Sequence, residues 1–209
     1  MATLAIETST AHGSVAVSLD REVIFHEKFT SERRHSAALF AALERARGQV
    51  PRIQRIAVGL GPGSYAGVRI AIAAGLGMEL ALGATLVGIP SIATLETKAP
   101  GYLFAGDARQ ERFYFAVVDS GVCIEGPLLA SEDEVRSAVD RFSTWPFYSN
   151  EKLEAFPTGQ VALPSAAVLA RLASEERGIV QIGDLEPLYL REPSITHPSS
   201  APLRPPTFR

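Results

Sequence analysis

The sequence predicts an α/β protein made of two stacked copies of one fold, and three observations carry that reading. Strand-like and helix-like stretches run in the order strand, strand, strand, helix, strand, helix, and then repeat it. Glu7, Ala16 and Val17 stand one hundred residues before Asp107, Ala116 and Val117, so an acid closes the first strand of each half. Finally, the run Gly59-Leu60-Gly61-Pro62-Gly63-Ser64-Tyr65-Ala66-Gly67-Val68-Arg69 couples a β-rich segment to a long, nearly uncharged helix. Glycine there permits close backbone approach.

In the first half, Leu4 to Thr8 and Ser14 to Leu19 read as strands around His12-Gly13, and Asp20-Arg21 turns into a third strand, Glu22 to Phe29. Arg33 to Arg47 is helical, Ile53 to Leu60 a strand, Ser64 to Leu82 a helix with Ser64 as N-cap, and Thr85 to Gly88 a strand. A short helix is expected over Ser91 to Lys98. In the second half, strands are expected over Tyr102 to Asp107, Arg112 to Asp119 and Cys123 to Leu129. Ser131-Glu132-Asp133-Glu134 is a capping box opening the helix Glu132 to Phe142. Trp145 to Tyr148 is a strand, and Ser165 to Arg177 a helix. The boundaries expected are residues 1–100 and 101–192 for the two lobes. Residues 193–209, with five prolines, form a disordered or extended tail.

The chain of 209 residues is long enough for a sizeable core, and its 46% hydrophobic and 21% charged residues are ordinary for a globular protein. A net charge of −3 argues against a strong electrostatic grip on nucleic acid by this chain alone. Cys123, the single cysteine, excludes an internal disulfide and fits a reducing compartment. The opening Met1 to Glu7 lacks the basic region of a signal peptide, and Ile70 to Leu82 is too short to span a bilayer. A cytoplasmic protein without membrane contact is expected.

Chemical motifs are sparse. No Gly-Lys-Ser/Thr follows the glycine loop, so it is no Walker loop. Pro62 in the turn, and no acid after Thr85 to Gly88, make it a poor dinucleotide fingerprint. It either offers a weak anion site at the helix N-terminus or simply packs tightly. Gly67, Ala71 and Gly75 at four-residue spacing favour tight packing, because one helical stripe then has almost no side chain. A weak nucleotide or anion site would gather Glu7, Thr8, Ser9, Asp107 and Arg109 at the ends of the two leading strands; otherwise Glu7 and Asp107 are strand-end carboxylates in water. His12, His26, His35 and His197 are too scattered for a zinc site, and no Gly-x-Ser-x-Gly elbow occurs, so neither metal, cofactor nor catalytic residue is expected.

Ala37 to Leu43 of the first predicted helix, and the Ser64 helix apart from Arg69 and Glu79, are apolar nearly all round, whereas a helix covering a sheet needs one apolar stripe. The surplus predicts a partner surface. Its residues are His35, Leu39, Phe40 and Leu43 on the first helix, and Gly67, Arg69, Ile70, Ala71, Ala74 and Gly75 on the second.

Several blocks carry a family resemblance: Leu4 to Thr10, Arg34-His35-Ser36, Gly61 to Ile70, Asp107-Ala108-Arg109 with Glu111 and Tyr114, and Pro187 to Arg191. In this order they resemble the bacterial TsaB (YeaZ) family of threonylcarbamoyladenosine biosynthesis proteins. The resemblance implies an actin-like (ASKHA), ribonuclease H-like duplicated fold with two lobes. It also implies a non-catalytic role in forming N6-threonylcarbamoyladenosine at position 37 of ANN-decoding tRNAs. The implied partners are a TsaD-type catalytic subunit, bound as a heterodimer through the two helices, and a TsaE-type ATPase. A homodimer through the same helices and an indirect link to tRNA are implied as well. The catalytic relative TsaD has a His-x-x-x-His metal motif on its first helix; here His35 is followed by Leu39 in the second position, and no Gly-Gly pair is present for a phosphate turn. Glu7 stands where the TsaB family usually has Asp. The competing expectations are a metal-dependent glycoprotease or carbamoyltransferase using His35, and a small-molecule kinase of the same fold.

Overall fold

The computed structural model describes residues 1–30 and 35–190, and the side chain of His35 lies outside that description. The expected tail, residues 193–209, and the start of the first predicted helix therefore fall outside the described residues.

The first half runs β1 (Ala2–Glu7), β2 (His12–Leu19), β3 (Glu22–Thr30), α1 (His35–Arg47), β4 (Arg55–Gly59), α2 (Tyr65–Leu82) and β5 (Thr85–Ile89), then a single 3-10 turn, Ser91–Thr94, where a longer helix was expected. The second runs β6 (Gly101–Asp107), β7 (Phe113–Asp119), β8 (Val122–Ala130), α3 (Glu132–Arg141), β9 (Phe147–Ser149), β10 (Gln160–Val161), α4 (Ala166–Ser174) and β11 (Gln181–Ile182). The first sheet has the order β11-β5-β4-β1-β2-β3, the second β10-β9-β6-β7-β8. Apart from β11, the two orders match strand for strand. In both, the leading strand pairs antiparallel with the second and parallel with the strand after the first helix.

The repeat is inexact in two ways. Ala16 faces Ala5, but Ala116 faces Phe104, so the register differs by one residue. No helix joins β9 to β10 where α2 joins β4 to β5, so α4 arrives one strand later than the expected order. The expected lobe boundary also needs correction, since β11 pairs with β5 and returns the chain to the first sheet.

Side-chain alternation sorts the strands into layers. Leu4, Ile6, Val15, Val17, Ile56, Val58 and Leu86 pack under α1 and α2. The opposite face of that sheet presents Ala16, Ala5, Ala57 and Val87, in register across four strands. Three small residues in a row let α4 settle close, with its own Ala166, Ala170 and Ala173 in the contact. Tyr102, Phe104, Ala116 and Val118 of the second sheet join the same core, while Leu103, Phe115 and Val117 turn the other way toward Val135 and Ala138 of α3. The layers are α1/α2, first sheet, α4, second sheet, α3.

Helix α4 is fastened at both ends by hydroxyls of the first sheet. At its start, Ala166 N–H donates to Ser14 Oγ at 2.9 Å, next to the helix's own N-cap, where Ala167 N–H donates to Ser165 Oγ at 3.3 Å. At its end, Ser174 Oγ lies 2.8 Å from Ser18 Oγ and donates to Thr3 Oγ1 at 3.1 Å. Arg55 donates to the Ala173 carbonyl and pairs with Glu176 at 2.8 Å, a cation at a helix C-terminus.

Helix α2 keeps its apolar character over 18 residues, so by length and composition it is long enough to cross a membrane, unlike the shorter Ile70 to Leu82 stretch. Here it is docked on the sheet through Gly67, Val68, Ala71, Ile72, Ala74 and Gly75.

Candidate functional site

The glycine loop fastens α2 to the end of β1. Ser64 caps the helix by accepting from Gly67 N–H at 3.2 Å, and its own N–H donates to Ser9 O at 2.6 Å. Thr8 Oγ1 donates to Gly67 O at 2.8 Å. A Cβ on Gly67 would come within 2.0 Å of Thr8 O, and one on Gly63 within 2.2 Å of Ser9 O. These glycines make backbone-to-backbone contact possible, which is the tight-packing reading of the loop.

That contact closes the expected anion site. Glu7, Thr8 and Ser9 are all buried, and Thr8 has spent its hydroxyl on α2. Glu7 Oε1 accepts from Ser9 N–H at 2.7 Å, whereas Glu7 Oε2 and Ser9 Oγ have no hydrogen-bond partner among the described residues. Oε2 presses on Gly59, where a Cβ would lie 1.9 Å away. Burial pushes the Glu7 carboxyl above its ordinary range, against the opposing pull of Ser9, Ser91 and Thr8. The expected wet carboxylate is thus corrected to a buried one: the glycine loop leaves no solvent beside it.

Asp107 and Arg109 are nearer the surface and serve their own loop. Asp107 Oδ1 accepts from Arg109 N–H at 2.7 Å, and Oδ2 lies 3.2 Å from Arg109 Nη1. Arg109, Gln110 and Glu111 all have left-handed φ, at 67°, 55° and 58°. Three such residues without a glycine store strain on the order of 1 kcal/mol each.

The expected partner surface divides. Leu39, Leu43, Gly67, Ala71, Ala74 and Gly75 lie in the core beneath the helices, so as direct contact residues they are corrected. Gly75 is pressed on Val58 and Leu86, where a Cβ would meet Val58 at 2.9 Å. Phe40, 55% exposed, and Arg69 are outward, and Ile70 is half-buried. Sequence reasoning missed the rest of the outward face, Ala37, Ala66, Ala73, Gly77 and Leu80, the last 87% exposed. The signal was available: 66, 69, 73, 77 and 80 recur at three- and four-residue spacing, which defines a second stripe opposite Gly67, Ala71 and Ala74.

At the head of α2 the face ends in a polar-aromatic cluster. Tyr65 stacks on Tyr189 with centroids 5.5 Å apart, and the Arg69 guanidinium lies 5.2 Å from the Tyr65 ring centre. Arg69 also donates to Tyr65 Oη at 2.6 Å. Tyr189 reaches this place because Leu188 N–H donates to Leu60 O at 2.9 Å and Leu185 is buried in the core of the first sheet. Among the described residues no three His, Cys, Asp or Glu side chains converge as a metal would require.

A six-stranded and a five-stranded sheet that share the order of five strands, with the chain folded back between them, define an actin-like, ribonuclease H-like protein of the ASKHA class. Residues 29–171 match the sequence model of TsaD, tRNA N6-adenosine threonylcarbamoyltransferase. The tRNA threonylcarbamoyladenosine biosynthesis protein TsaB of Escherichia coli is 30% identical, over 91% of this chain and 95% of its own length. The Haemophilus influenzae TsaB is 28% identical, over 90% of this chain and 92% of its own. In structure, YeaZ from Pseudomonas aeruginosa superposes with a TM-score of 0.68 at 24% identity, covering 83% of this chain and 91% of that one. The chain belongs to the TsaB (YeaZ) family.

Proposed function

We propose that this protein is a non-catalytic subunit in the formation of N6-threonylcarbamoyladenosine at position 37 of ANN-decoding tRNAs. It binds and activates a TsaD-type catalytic subunit, with a TsaE-type ATPase joining the complex. The end-to-end likeness to the E. coli TsaB protein carries this reading. The closed ground at Glu7, Thr8 and Ser9 supports a scaffold, because those side chains cannot reach a substrate without breaking the α2 anchor.

The partner docks on the outward stripe of α1 and α2, where Phe40 and Leu80 are the large exposed anchors and the Tyr65–Tyr189–Arg69 cluster forms one rim. A second copy of this chain covers the same stripe when the partner is missing.

Co-purification tests this. The double variant Phe40→Asp, Leu80→Asp should lose the TsaD-type subunit while melting like the parent, since both side chains lie outside the core. Full retention of the partner would remove the assignment of this face. Nucleoside analysis of tRNA after depletion should show the modified adenosine disappearing; its persistence would sink the pathway itself.

A further inference from the structure

A cavity of about 510 Å³ opens at the end of β6 opposite Asp107, where the chain crosses from the first half to the second. Leu95, Tyr102, Val168 and Leu172 line it beside the polar Thr97 and Ser120. The buried Tyr102 is held there by donating its hydroxyl to Ile92 O at 2.8 Å. Its rim is cationic: Lys98, Arg171 and Arg177 stand against a single acid, Glu175.

Those charges are not balanced locally. Glu175 lies four residues after Arg171, the usual spacing for a helical ion pair. It is instead taken by Arg177, at 3.3 Å, and Arg177 also donates to the Ser120 carbonyl. The side chains of Lys98 and Arg171 are left, among the described residues, without hydrogen bond or ion pair. Two cations with unpaired side chains at one concave cleft, on a chain whose net charge is −3, form a local anion trap. The volume lies within the range of small-molecule sites, roughly 300–1,000 Å³, and the walls are concave, which suits a compact ligand better than a nucleic-acid backbone.

We propose that this cleft binds a small polyanion, its negative oxygens between Lys98 and Arg171. Phosphate and carboxylate groups share the required chemistry. Because Lys98 lies in the crossover and Arg171 on α4, an occupant ties the interlobe linker to the helix clamped on the first sheet. The inference does not rest on the partner assignment, whose face lies on the other side of that sheet.

Calorimetry on the full chain at low ionic strength tests it, with pyrophosphate and citrate as probes and a tRNA anticodon stem-loop as the third arm. Saturable binding of pyrophosphate or citrate is expected, and the tighter of the two identifies the source of the anion. Lys98→Gln and Arg171→Gln should each weaken it by about tenfold, as loss of a charge-assisted contact does. Both variants should still melt normally and capture the TsaD-type subunit. Silence from both small probes at millimolar concentration, or titrations indifferent to both substitutions, would overturn the proposal. So would binding of the stem-loop alone.

Discussion

Glu7 shows how a single residue can be read correctly for place and wrongly for surroundings. Its position at the end of β1 is legible from the strand pattern. Its burial is not, because it depends on a loop fifty residues away that folds over it. The consequence is a pH dependence of definite sign. The carboxyl is raised in the folded state, so the fold holds its proton where the unfolded chain has released it. Stability should fall as pH rises above the ordinary carboxylate value of 4.5, until Glu7 ionises in the fold as well. Denaturant melts of the parent and Glu7→Gln between pH 4 and pH 8 check this; the variant should lose that decline and be the more stable protein at neutral pH. Parallel curves for the two proteins would refute it. Gly67 is the second decisive residue, since its missing Cβ is what admits Thr8. Gly67→Ala should cost about 1–3 kcal/mol, the usual range for overpacking, because its neighbour is backbone and cannot rotate away. Chemical denaturation would measure it.

Among elements, α2 was legible in range, α1 in where it ends, and both in excess apolarity, yet the sequence alone did not say which stripe faced the sheet. A helix apolar on every side carries no phase, so Leu39 and Ala71 looked as available as Phe40. The two stripes should now separate by experiment. Leu39→Ala should lose about 2–5 kcal/mol of stability, as a buried leucine does. Phe40→Ala should alter stability by no more than about 0.5 kcal/mol while weakening partner capture. Helix α4 was also recognisable, although it ends at Ser174 rather than at the expected Arg177, but its destination was hidden. The docking ground consists of Ala5, Ala16 and Ala57 from three separate strands, and only their register brings them together. Ser14→Ala removes a hydroxyl that caps α4 from outside its own segment, and should lower the unfolding free energy by about 1 kcal/mol.

For the whole molecule, the duplicated α/β plan was visible because element order survives in a sequence even where local register does not. The one-residue offset of Ala116 and the lack of a helix between β9 and β10 leave no local mark. The two-residue strands β10 and β11 are too short to show a period. The last of these has a consequence for how the protein is made. The alanine face of the first sheet gains its cover only when residues 166–174 arrive, and the edge of β5 gains its neighbour only at Gln181. During translation, about the first half of the chain emerges with a sticky plate and an open border that its own sequence cannot yet shield. Residues 1–100 expressed alone should therefore bind a hydrophobic dye and associate, and a soluble monomer with native-like spectra would contradict this. Synthesis would then be the time at which the protein most needs a chaperone.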